Sequence, residues 1–200
     1  MNRRAFLAGC AVAAIARPAA AVPFQLPQVE YAADRHVQQA DRFQNMRVHY
    51  APGMERLELQ GQAAGGNVVL LRHDLGKAWL VMPRMAALAE LPGEVLARLG
   101  QAIQGTDLKP IGTETVHGIT AVKHQATGTF TGTVWLTRSG IPLKLDGQRR
   151  SDTGTRRLFL EQRNIVPGPQ SAALFEPPAG LARIQMTDPS WLALLSDIIG

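Results

Sequence analysis

From Val29 onward the chain reads as short stretches of alternating apolar and polar residues, broken by turn chemistry. Met54-Glu55-Arg56-Leu57-Glu58-Leu59 alternates at period two, with one wet and one dry face. The same reading predicts strands over 29–34, 43–50, 54–59, 67–73, 78–82, 111–116, 119–125, 129–138, 142–150 and 155–166. Ala51-Pro52-Gly53, Val116-His117-Gly118 and Ser139-Gly140 mark turns between them. About ten strands at this spacing predict an antiparallel barrel or sandwich. The runs 67–71 and 78–82 are apolar at nearly every position, so both of their faces need cover. That cover is either a second layer of core or a ligand cavity.

Two segments change period. Val95, Leu96, Leu99 and Ile103 lie at helical spacing behind Pro92, which predicts an internal helix over 91–103. Asp188 and Pro189 start a second apolar stripe, Trp191, Leu194, Leu195 and Ile198, which predicts a C-terminal helix. Such a stripe packs on its own domain, or it plugs a cavity or a partner's groove.

The first residues belong to a different pattern. Arg3-Arg4 precede a short apolar run over 5–16 and the small residues Ala19-Ala20-Ala21, the order of an export signal cut after Ala21. The run is too short to span a bilayer. Arg3-Arg4-Ala5-Phe6-Leu7 resembles a twin-arginine signal without its following Lys, so the ordinary secretory route stays open. Leu7-Ala8-Gly9-Cys10 resembles a lipoprotein box. It offers a minority reading in which Cys10 carries a lipid anchor and the mature protein is not free in the periplasm. The domain expectation is a signal peptide over 1–21 and one domain over 22–200.

Removing that segment alters the charge argument. The chain has 21 basic and 16 acidic residues, but Arg3, Arg4 and Arg17 lie in the signal, leaving a mature net charge of +2. Nothing in that balance calls for nucleic acid. Cys10 is the single cysteine, so neither a disulfide nor a cysteine-based metal site forms within the chain. Gly 19 and Pro 13 in 200 residues exceed the average share of about 12%, which suits many turns.

Catalytic patterns are missing. His36, His49, His73, His117 and His124 show no metal-ligand spacing, and no serine sits in Gly-x-Ser-x-Gly. Glu55 and Glu58 fall on opposite faces of one strand. Gly132 reads as a bend or bulge, and Arg149-Arg150 with Arg156-Arg157 read as a solvated basic hairpin tip. These features disfavour an enzyme and predict no cofactor and no metal.

Several stretches then carry a resemblance in order: Tyr31-Ala32-Ala33-Asp34-Arg35, Val48 through Arg56 (VHYAPGMER), Trp79-Leu80-Val81-Met82-Pro83, and Ile111 through Ile119 (IGTETVHGI). Gly132 through Thr137 (GTVWLT), Gly140-Ile141-Pro142 and Leu174 through Gly180 (LFEPPAG) follow. This succession, over roughly 29–182, resembles an uncharacterised exported bacterial family. That family is similar to the periplasmic lipoprotein carriers, LolA-like and LolB-like, and to the envelope-stress regulator RseB. The resemblance implies a mainly β (α+β) fold, an unclosed antiparallel half-barrel covered by the two helices. It implies a periplasmic binding protein for an apolar or acylated ligand, a lipid or lipoprotein. The expected apolar pocket is Val69, Leu71, Leu80, Met82, Phe130, Val134 and Leu136. The alternative is an envelope sensor that engages a membrane surface or membrane protein through its outer surface or tail helix. A hydrolase with an unrecognised site is a third reading.

Overall fold

The computed structural model describes residues 20–39, 42–61, 65–93, 96, 103–151 and 154–185. Thirteen strands build a single sheet: β1 (Val22–Pro23), β2 (Tyr31–Gln39), β3 (Arg42–Ala51), β4 (Met54–Gln60), β5 (Val68–Arg72), β6 (Lys77–Met82), β7 (Ala87–Glu90), β8 (Thr106–Val116), β9 (Ile119–Gly128), β10 (Phe130–Leu136), β11 (Pro142–Ser151), β12 (Gly154–Pro167) and β13 (Ala182–Ile184). The order across the sheet is β1-β8-β9-β10-β11-β12-β2-β3-β4-β5-β6-β7-β13. Neighbours are antiparallel except β13, which lies parallel to β7. The two ends do not pair, so the sheet is unclosed, as the family resemblance implies.

The expected count of about ten strands is corrected to thirteen. The additions are β1, β7 and β13, of two, four and three residues. Ala87-Leu88-Ala89-Glu90 has weak strand preference, and only pairing with β6 makes it a strand. Helical cover is also corrected. Beyond the 3-10 turns Pro83–Met85 and Ala172–Phe175, only Gly93 and Leu96 among the described residues are helical. Residues 94–95 and 97–102 of the helix expected over 91–103, the whole tail helix 188–200 and nearly all of the signal segment lie outside the described residues.

The pairing registers assign every side chain to a face. Leu108, Ala126, Val134, Leu145, Leu160, Val37, Ala33, Val48, Leu57, Val69, Leu80 and Ala89 stand in one continuous series across the sheet. This is the inner face. It carries two apolar clusters, bridged by Val37, which packs against both. Leu91 and Leu96 pack into the first cluster and Ile103 into the second, so the 91–103 segment does supply apolar cover.

The opposite face of β5–β7 is dry as well, with Val68, Leu70, Trp79, Val81 and Leu88 buried together. A C-terminal strap runs over this side. Its 3-10 turn packs on β4 and β5, Phe175 is buried and Leu181 joins the outer cluster. Polar contacts pin it: Gln170 with His49 at 2.9 Å, Leu174 O accepting from Arg56 at 3.1 Å, and Glu176 with Arg72. Two apolar faces therefore have two separate covers.

Two turn and bulge positions deserve their residues. His117 (φ 50°) and Gly118 (φ 77°) are both left-handed, the requirement of a type I′ hairpin turn. Gly132 and Gly147 face each other across β10 and β11, and a Cβ on Gly147 would lie 2.8 Å from Phe130 Cζ and 2.3 Å from Thr131 O. Gly147 leaves room for the Phe130 ring to lie against bare backbone, and Gly132 lets β10 and β11 approach closely beside it.

Candidate functional site

All seven expected pocket residues stand on the inner face. Val69, Leu71, Leu80 and Met82 lie in the first cluster, Phe130 and Val134 in the second, and Leu136 packs against the second, partly buried. The registers Val69↔Leu80 and the parity of Phe130, Val134 and Leu136 bring them to one side. They are packed side chains, and none of them borders the cavity that opens on this face.

That cavity has a volume of about 110 Å³. Phe24, Leu26, Pro27, Ile103, Leu145 and Leu160 form its apolar walls. Its polar side is built from Tyr31, Arg35, Tyr50, Glu55 and Gln162, with His73 at the rim. The local sequence explains why polar groups point inward here. Arg35 follows Tyr31 and Ala33 at period two and precedes Val37; Glu55 precedes Leu57 and Leu59 at the same period. Each strand thus places one charge on its otherwise apolar face.

The two charges meet. Arg35 Nη2 donates to Glu55 Oε1 at 2.7 Å, reaching across β3, and both side chains are only 15–16% exposed. Arg35 Nε also donates to Gln162 Oε1 at 3.2 Å, and Gln162 Nε2 donates to Pro142 O. Tyr31 and Tyr50 stack with ring centroids 5.1 Å apart, and the Tyr50 hydroxyl donates to Pro27 O at 2.8 Å. The half-buried ions are therefore compensated by one another and by hydrogen bonds, the condition for keeping charge beside a core. Burial is the largest influence on the Arg35 pKa and lowers it, but Glu55 and Tyr31 together outweigh it and hold the guanidinium above its ordinary value.

Burial raises the pKa of Tyr31, and burial also raises that of Tyr50, with help from the Tyr31 and Glu55 charges. These are the chain's only tyrosines. A phenol whose folded pKa lies above its unfolded value stabilises the fold fully below that unfolded value, 10.0, and less as pH rises beyond it. Phenolate absorbance is expected to stay silent through pH 10 and to appear together with loss of tryptophan fluorescence structure. Reversible phenolate formation near pH 10 with the fold intact is the contrary result.

The histidines take structural roles. His36 bonds Asn45 at 2.6 Å, and His117, in its turn, bonds Glu161 at 2.6 Å. Among the described residues no three His, Cys, Asp or Glu gather as a metal site. His124, next to Val134 on the inner face, has a buried Nδ1 with no hydrogen-bond partner among the described residues. Arg149 and Arg156 pair across the β11–β12 hairpin, and Arg157 bonds Asp146 at 2.9 Å. Sequence reasoning passed over Arg35 and Gln162, and treated Glu55 only as half of a failed pair. The available signal was opposite charges at inward positions of two nearby strands.

No family model matches the chain, and no curated protein does. Solved structures are similar in fold. A crystal structure of MucB aligns with TM-score 0.50 and 16% identity over 78% of this chain and 60% of that one. MucB in complex with the periplasmic part of MucA aligns at 0.50 and 17%, over 79% and 57%. The Pseudomonas aeruginosa MucA/MucB complex aligns at 0.51 and 16%, over 79% and 59%. The chain thus spans less than two thirds of each MucB chain. At this identity the likeness establishes a fold shared with MucB and nothing finer.

Proposed function

We propose that this protein is an exported, periplasmic binding protein for an apolar or acylated ligand, a lipid or lipoprotein, and performs no catalysis. The observation that carries this reading is the continuous apolar inner face that ends at a cavity with one polar side. An amphiphile has the same division. Its chain would lie along Val69, Leu71, Leu80, Met82, Phe130, Val134 and Leu136, and its head at Arg35. A volume of about 110 Å³ is below the roughly 300–1,000 Å³ of ligand pockets, so chain entry requires Leu91, Leu96 and Ile103 to give up their places. Each chain CH₂ moved from water into that space contributes about 0.8 kcal/mol.

The fullness of the inner face favours a second reading, a sensor that engages a membrane-protein partner through its outer surface or tail. MucB, which shares the fold, has been solved bound to the periplasmic part of MucA. Native mass spectrometry of the protein purified from periplasm separates the two. The binding reading expects adducts of acyl-chain mass, or uptake of an added acylated peptide. Ligand-free mass alone, with no uptake, overturns it and leaves the partner reading.

A further inference from the structure

The polar side of the cavity contains one half-buried cation and one half-buried anion, and they are bonded to each other. Arg35 gives Nη2 to Glu55 and Nε to Gln162, whose own amide is held by Pro142 O. The walls therefore carry no net charge from buried groups, yet they keep unused hydrogen-bonding capacity. The guanidinium has N–H groups beyond those given to Glu55, Gln162 and the Tyr31 hydroxyl, and the Glu55 carboxylate has lone pairs beyond those taken by Arg35. The Tyr31 hydroxyl faces Arg35 and Gln162 within the same space. From this balance we infer that the site selects ligands whose head is an uncharged ester or amide, and rejects free carboxylates, phosphates and amines. This rests on the acyl-binding reading above.

The physical reason is the count of buried charges. A carbonyl accepts from the remaining guanidinium N–H, and an amide N–H donates to Glu55, without disturbing the ion pair. An anionic head brings a second negative charge to a single arginine, which leaves one buried anion uncompensated. An ammonium head does the same to Glu55 with opposite sign. The cavity's size agrees: about 110 Å³ holds a few water-sized groups, enough for an ester or amide and too little for a hydrated ion with its shell.

The test compares four ligands with one saturated chain, ending in a methyl ester, an N-methylamide, a free carboxylate or a primary amine. Binding to the full mature protein is measured below each ligand's micelle concentration, at a pH where carboxylate and amine are both ionised. The ester and the amide are expected to bind at least about tenfold more tightly than the two ions. A carboxylate or amine that binds as tightly as the ester overturns the inference while leaving acyl binding in place. Failure of all four overturns the acyl-binding reading, and this inference with it. In Glu55→Gln the arginine is released from its partner, and the carboxylate is expected to gain about tenfold relative to the ester. An unchanged ratio in the folded variant overturns the assignment, and the wild-type ratio decides alone where the variant does not fold.

Discussion

Arg35→Met is expected to lower the free energy of unfolding by about 2–3 kcal/mol, below the loss for a fully buried pair, because it leaves the half-buried Glu55 carboxylate without its partner. Equilibrium urea unfolding followed by tryptophan fluorescence measures this as a shift of midpoint at unchanged slope. Removing both charges has the opposite character. In Arg35→Met/Glu55→Leu no ion remains to be desolvated, and two apolar side chains extend the series Tyr31, Ala33, Val37 and Leu57, Leu59 on the inner face. The double variant is expected to recover most of the loss. A double variant as unstable as the sum of its singles would show that the two residues act independently. Recovery of stability also supplies a folded protein in which the cavity's two charges are absent while Tyr31, Tyr50 and Gln162 remain, and ester and amide binding should weaken there because the guanidinium donor and the carboxylate acceptor are gone.

Phe130→Ala carries the second large effect. The ring is fully buried in the second inner cluster and lies against the backbone where Gly132 and Gly147 approach one another. Truncation removes the apolar contacts and leaves a void that the surrounding strands close only in part, because two glycines there have no side chains to move into it. The expected loss is about 3–5 kcal/mol, read by the same unfolding experiment. A loss under about 1 kcal/mol would mean that the inner face collapses easily, which is incompatible with a ring packed against glycine backbone at this point. On the binding reading, the folded fraction of Phe130→Ala also has a larger inner space, and acyl-chain uptake should rise even as stability falls.

Much of the fold was legible along the chain because strand alternation is a local property. Met54 through Leu59 shows its wet and dry faces in the order of its letters, and β4 keeps them. The type I′ turn at His117-Gly118 is likewise a local requirement, since glycine and one tolerant residue must accept positive φ. The strands that escaped were β1, β7 and β13, at or near the sheet edges, where pairing and not residue preference makes the structure.

The site divides in the same way. That 67–71 and 78–82 need cover on both faces follows from composition alone, and so does the absence of a familiar catalytic pattern. Which side chains share a face across nine or more strands depends on register, and register is a relation between distant segments. Arg35 and Glu55 sit on different strands with β3 between them, so no spacing along the chain announces that they bond at 2.7 Å. The sequence by itself determined the antiparallel architecture, the turns and the double dryness of β5 and β6, because these depend on a few neighbouring residues. Only the tertiary structure decided that the inner face is filled, that the strap covers the outer one, and that two opposite charges neutralise each other beside a small cavity, because those follow from how the strands curve and which of them come together.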